Sequence, residues 1–159
     1  MTFSTKYFGE IEVQDSDIYT FPEGLPGFED KRNFALIDNS SENSPFKWLQ
    51  SVEDGNLAFV VVDPFSIVPD YEVDIPEDEI AALEINDINE ILLFTVVVIP
   101  ENIKNISANL LAPIVINTRK NIAKQVTLNN EKYSIRHYIF DKLNSNGGAA
   151  DASINKKEK

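Results

Sequence analysis

Two short apolar runs constrain this chain more than any other feature. Residues 57–63 read LAFVVVD and residues 91–100 read ILLFTVVVIP. Both are dense in valine and isoleucine, whose branched Cβ suits extended backbone better than helix. Neither alternates apolar with polar residues, so each predicts a strand covered on both faces. Pro64 and Pro100 close the two runs. Both fall short of the roughly 18 apolar residues a membrane-spanning helix needs.

Such strands need partners, and the rest of the chain offers them. Phe3–Tyr7 and Glu10–Gln14 read as short strands around a bend at Gly9. Ile18–Phe21, Asn33–Asp38, Ala112–Asn117, Lys124–Leu128 and Tyr133–Phe140 carry similar signals. Two of these, Ala112–Asn117 and Lys124–Leu128, are spaced as a hairpin. A polar turn is expected over Asn39–Pro45. Helix is expected in two places. Pro45–Ser51 (PFKWLQS) suits one or two turns. In Asp74–Glu84 (DIPEDEIAALE), Asp74 is placed to cap and the acids sit at the positive helix end. The expected fold is therefore mainly β: a single antiparallel β-barrel-like domain, or a sandwich, with one or two short helices. The domain should span residues 1–143. Residues 144–159 (NSNGGAADASINKKEK) are small and polar with a basic end, as in a disordered tail.

Charge narrows the possible partners. The net charge is -12, unevenly spread. Residues 1–100 hold 21 acids and 4 bases, whereas 101–159 hold 5 acids and 10 bases. Between Lys47 and Lys104 there is no basic residue. Such a surface repels phosphate backbones and attracts cations, so a basic protein is the expected partner and nucleic acid is not. The absence of cysteine and of an N-terminal leader pattern points to the cytoplasm and away from membranes.

Catalytic signatures are missing. One histidine, His137, and no cysteine cannot build a nitrogen–sulfur metal centre. No glycine-rich phosphate loop and no calcium-loop spacing occurs. No cofactor, metal or catalytic residue is expected. A carboxylate pair or carboxylate-bound metal stays open as the enzymatic alternative.

Two constellations could carry binding. The first is the acidic block from Asp70 to Glu90, with Asp74, Glu77, Asp78, Glu79 and Glu84 at its centre. It is either a solvated face or a docking surface for a cationic protein. The second is FPEGLPGFED, Phe21 to Asp30, which sets Phe21, Leu25 and Phe28 among prolines and glycines. Those side chains either fold back into the core or form a rigid apolar contact, and the roles can be shared.

Several blocks, in one order, resemble the FliW family of bacterial flagellar assembly factors. FPEGLPGFED is similar to its early Phe-x-x-Gly-Leu-x-Gly-Phe signature. PFKWLQS, LAFVVVDPF, ANLLAPIVIN and QVTL…YSIRH resemble the blocks that follow. The resemblance spans about Phe8 to Phe140. It implies a barrel-like fold and no catalysis. It also implies two mutually exclusive partners: newly made flagellin, and CsrA, a dimeric RNA-binding repressor of flagellin translation. Its function would be to couple flagellin level to flagellin synthesis. On charge, Asp74, Glu77, Asp78, Glu79 and Glu84 are expected to face CsrA. Phe21, Leu25 and Phe28 are expected to help bind flagellin. A barrel module for some other basic protein is the alternative.

Overall fold

A computed structural model describes residues 1–38 and 44–145. The turn expected at 39–45 lies mostly outside the described residues, as does the expected tail from residue 146 on.

The chain forms eleven strands and two short α-helices among the described residues. Strands β1 (Thr2–Thr5) and β2 (Gly9–Glu12) pair as a separate hairpin. The main sheet contains β3 (Ile18–Thr20), β4 (Asn33–Asp38), β5 (Phe46–Ser51), β6 (Ala58–Val62) and β7 (Ile91–Val98). It continues with β8 (Ser107–Ala108), β9 (Ile114–Asn117), β10 (Ile122–Gln125) and β11 (His137–Tyr138). Helix α1 covers Glu77–Ala82 and α2 covers Phe140–Ser145.

Seven strands close into a barrel in the order β7-β6-β5-β4-β3-β10-β9 and back to β7. Closure depends on β7, which shares its length between neighbours. Ile91–Phe94 pair with β9, and Thr95–Val97 pair with β6. On the β9 side its far end passes to β8, through Val97 and Val98. All pairings are antiparallel except β3–β10, a single parallel contact of Ile122 with Thr20.

Side chains alternate across this wall as strand geometry requires. Phe21, Phe34, Leu49, Val61, Phe94, Ile114, Ile116 and Ala123 fill the barrel. The outer faces are covered too. Val115 of β9 packs outward beneath Leu83, which follows α1. Val62 and Val97 pack with Ile106, Ile139 and Leu143 of the C-terminal region. Trp48 of β5 points out under Tyr7 and Phe8, with ring centroids 5.2 and 5.4 Å away. This two-sided burial explains why β6, β7 and β9 lack alternating polarity.

Four expectations need correction. Residues 46–51 form strand β5, not a helix: Phe46 and Leu49 have helix-like spacing, but pairing to both β4 and β6 wins. Lys124–Leu128 is a ladder only through Gln125. Beyond it, Val126 N–H still donates to Pro113 O, but proline has no N–H to return. Tyr133–Phe140 shrinks to a two-residue strand, and Phe140 begins α2. Helix α1 is shorter than Asp74–Glu84 because Pro76, in extended backbone, takes the N-cap position. The residue before a proline is driven from helical backbone, so Asp74 does not cap.

Candidate functional site: two poles of the barrel

The acidic block covers one side of the barrel and one of its mouths. Ile75 and Ile85, flanking α1, pack with Leu83 against Val115 and Val126. Buried Asn117 fixes the arrangement: its amide donates to Leu83 O (2.8 Å) and Glu84 O (3.2 Å). Its Oδ1 accepts from the backbone of Arg119 and Lys120. Glu84 turns the chain after α1 in left-handed backbone at φ 55°. The carboxylates thus stand on a platform bonded to the barrel wall.

They are not equivalent. Glu79 is bound by Lys124 at 2.6 Å, and Lys124 also reaches Glu23 at 2.8 Å. These bonds, from Glu23 first and Glu79 second, raise the Lys124 ammonium above its ordinary value. Glu84 meets Lys120 at 3.3 Å, and Glu72 meets Lys132 at 3.1 Å, which raises Lys132 as well. Asp74, Glu77 and Asp78 have no ion pair among the described residues. The five expected residues therefore divide. Glu79 and Glu84 are largely neutralised from within, and Asp74, Glu77 and Asp78 offer uncompensated charge.

Beside them lies an apolar trough that the sequence reading did not identify. It encloses about 680 Å³ between the segment 63–75 and the start of β7. Phe65, Tyr71, Val73, Ile75, Ile88 and Leu92 line it. A shallower extension of about 350 Å³ continues past Ile80 and Ile85. Phe65, Ile88 and Leu92 are exposed, Ile88 to 81%. β7 places Leu92, and aspartates place the other two: Asp63 Oδ1 accepts from Phe65 N–H, and Asp87 Oδ1 accepts from Asn89 N–H. These bonds fix short 3-10 turns at Pro64–Ser66 and Ile88–Glu90. The trough floor is rigid because Tyr71 is buried and donates to Leu110 O at 2.5 Å. Burial, and next the neighbouring Tyr133, push the Tyr71 hydroxyl far above its ordinary value. The sequence did carry a signal: Phe65 directly after a strand stop, and Ile88 isolated among polar residues.

The opposite mouth is closed by FPEGLPGFED. Phe21 N–H donates to Arg32 O, Gly24 N–H to Phe21 O, and Phe28 N–H to Leu25 O, so the segment folds as successive tight turns. Gly24 has φ +68°, and a Cβ there would lie 2.6 Å from the Glu29 Cα. Phe21 is 0% exposed and stacks edge-on to Phe34; Leu25 is 3% exposed. Phe28 is 38% exposed and leans edge-on against Phe59. The three expected contact residues therefore split: Phe21 and Leu25 plug the barrel, and Phe28 alone presents a large apolar surface. Around it, Leu25, Pro26, Phe59, Val98, Ile135 and Arg136 line a smaller hollow of about 240 Å³. Val98, Ile135 and Tyr138 are exposed here.

His137 is half-buried and its backbone pairs with Ala108 in the β11–β8 ladder. Among the described residues no three histidine, aspartate or glutamate side chains are grouped to hold a metal ion. Nor is any described helix long and apolar enough to cross a membrane.

Comparison with known proteins matches this architecture. The family model described as FliW protein matches residues 2–139. A flagellar assembly factor FliW of Thermoanaerobacter pseudethanolicus is 47% identical over 143 residues, covering 90% of this chain and 95% of that protein. One from Alkaliphilus metalliredigens is 45% identical over 143 residues, covering 90% and 88%. A crystal structure of the flagellar assembly factor FliW superposes with a TM-score of 0.80 at 38% identity, covering 88% of this chain and 97% of that one.

Proposed function

The chain belongs to the FliW family of flagellar assembly factors, and from that premise we propose that it acts in the cytoplasm by binding, without catalysis. It holds newly made flagellin. When flagellin is exported, it captures the translational regulator CsrA, so that flagellin synthesis resumes.

The observation that carries this reading is the face on which Asp74, Glu77 and Asp78 have no ion pair among the described residues. An RNA-binding regulator must be cationic where it grips phosphate. A carboxylate surface attracts that region and speeds encounter by steering. Like charges held this close on a fixed platform repel one another, and a cationic partner relieves the repulsion. Flagellin presents amphipathic terminal helices before it polymerises. The opposite pole suits them: Phe28, Val98, Ile135 and Tyr138 are exposed there, and no carboxylate lines the hollow beside them.

Calorimetric titration with CsrA at increasing salt tests the first part. Affinity should fall steadily as salt rises, because the ~8 Å Debye length at physiological ionic strength shortens further. The triple variant Asp74→Asn, Glu77→Gln, Asp78→Asn should bind more weakly and respond less to salt. An affinity indifferent to salt defeats the electrostatic account. Flagellin added to the CsrA mixture should release CsrA.

A further inference from the structure

We propose that the trough between residues 63–75 and the start of β7 is a docking slot for a cationic amphipathic segment of a partner protein. The partner's apolar side chains enter the trough, and its lysines or arginines reach the rim. This deepens the reading of the acidic face as a landing surface, and it rests on that reading only in taking the partner to be cationic.

Apolar exposure is the first observation. Phe65, Ile88 and Leu92 stand open to solvent around about 680 Å³. That volume falls within the ~300–1,000 Å³ typical of sites that enclose a ligand. The trough walls are held, as described, by the Asp63 and Asp87 bonds and by buried Tyr71. A preformed slot avoids the ordering cost of building one on binding.

Charge decides what kind of segment fits. Asp63 and Asp87 sit at the rim, Asp74 borders the extension, and none has an ion pair among the described residues. Lys47, the cation that lines the trough, is held by Asp38. A neutral or acidic apolar segment would meet uncompensated negative charge on entry. A segment with cations flanking its apolar residues would neutralise the rim as it seats. The opposite pole has an apolar hollow too, but Arg136 borders it, so the same segment should avoid that end.

The test uses isotope-labelled full-length protein and designed peptides of about 14 residues, roughly four helical turns. One is an amphipathic leucine/lysine peptide, the second replaces lysine by glutamate, and the third replaces leucine by serine. The leucine/lysine peptide should shift the amide resonances of Phe65, Val73, Ile88 and Leu92, and the other two should bind at least about tenfold more weakly. Ile88→Ser should weaken the leucine/lysine peptide about tenfold with the melting temperature preserved, and Val98→Ser should leave binding intact. Equal binding of the serine/lysine peptide, shifts confined to the Val98 pole, or an unaffected Ile88→Ser variant would each overturn the proposal. CsrA titration separates the two readings. If CsrA fails to bind while the leucine/lysine peptide seats in the trough, the identity of the partner falls and the slot stands.

Discussion

Both mouths of the barrel carry large apolar side chains, yet they use them differently. At the FPEGLPGFED mouth, Phe21 and Leu25 turn inward and only Phe28 is left partly outside. At the acidic mouth, Phe65, Ile88 and Leu92 stay outside, the first two held there by short turns that aspartates cap and Leu92 by the start of β7. The first mouth is sealed by its apolar residues, and the second displays them. Charge differs in the two depressions themselves. Carboxylates rim the displayed trough, whereas the hollow at the sealed end is lined by Arg136 and no carboxylate, the acids of that end, Glu23, Glu29 and Asp30, lying in the seal outside it. A bulky residue among prolines and glycines is thus not by itself a contact residue. What matters is whether the turn aims it into the barrel.

Substitutions in the seal should have the largest effect and bear most directly on this contrast. Phe21→Ala removes a fully buried ring and should cost about 3–5 kcal/mol of stability, read as a lower midpoint in urea denaturation. Leu25→Ser should likewise lower the midpoint, through a stability loss of at least about 2 kcal/mol, since it also buries a hydroxyl. If Leu25→Ser kept its midpoint and lost flagellin instead, the seal would be a contact surface after all. Gly24→Ala comes next. It demands left-handed backbone and a Cβ against Glu29, so a loss of about 1–3 kcal/mol is expected from the same measurement.

Phe28→Ser sharpens the comparison from the other direction. The side chain is partly exposed, so stability should change by less than about 1 kcal/mol. Flagellin affinity should fall by roughly tenfold while CsrA affinity holds. Parallel titrations of the two partners would show a reversed preference if the poles have been assigned the wrong way round.

The smallest effect belongs to Lys124, which links α1 to the FPEGLPGFED segment through Glu79 and Glu23. Lys124→Met should cost about 0.5–1 kcal/mol, because the cluster is partly solvated. The pH dependence has a definite sign. The folded-state value of Lys124 is raised, so its stabilisation is fully present below the ordinary lysine value of 10.5. It is lost as pH climbs through the higher folded value. Denaturation midpoints of the two proteins should therefore converge on the alkaline side and stay apart at neutral pH.

Much of this architecture was legible in the sequence, for reasons that particular residues show. β6 and β7 were readable because valine runs closed by proline admit few other conformations. The acidic side was readable as a composition break from Lys47 to Lys104. Residues 46–51 were misread because Phe46 and Leu49 sit three apart, and the outward Trp48 is covered by a hairpin far off in sequence. Helical and two-sided strand patterns coincide there, and only the pairing partners distinguish them. The division of the carboxylates was hidden for a similar reason. Lys124, Lys120 and Lys132 reach Glu79, Glu84 and Glu72 across long separations that composition does not encode. The trough was missed because its walls come from stretches far apart in sequence, and the apolar run that supplies one of them, Ile91–Phe94, reads as a strand covered on both faces.

β7 spans both mouths, and one row of its side chains, Leu92, Phe94, Val96 and Val98, runs from the trough through the core to the hollow beyond. The strand therefore serves as a ruler. Adding or deleting one residue within it would turn every following side chain to the wrong side of the wall. Such a change would misplace the outfitting of one mouth while leaving the other untouched. A loop at either end can change length without moving the mouths apart, but the distance between the two mouths is set by a strand that cannot be respaced one residue at a time.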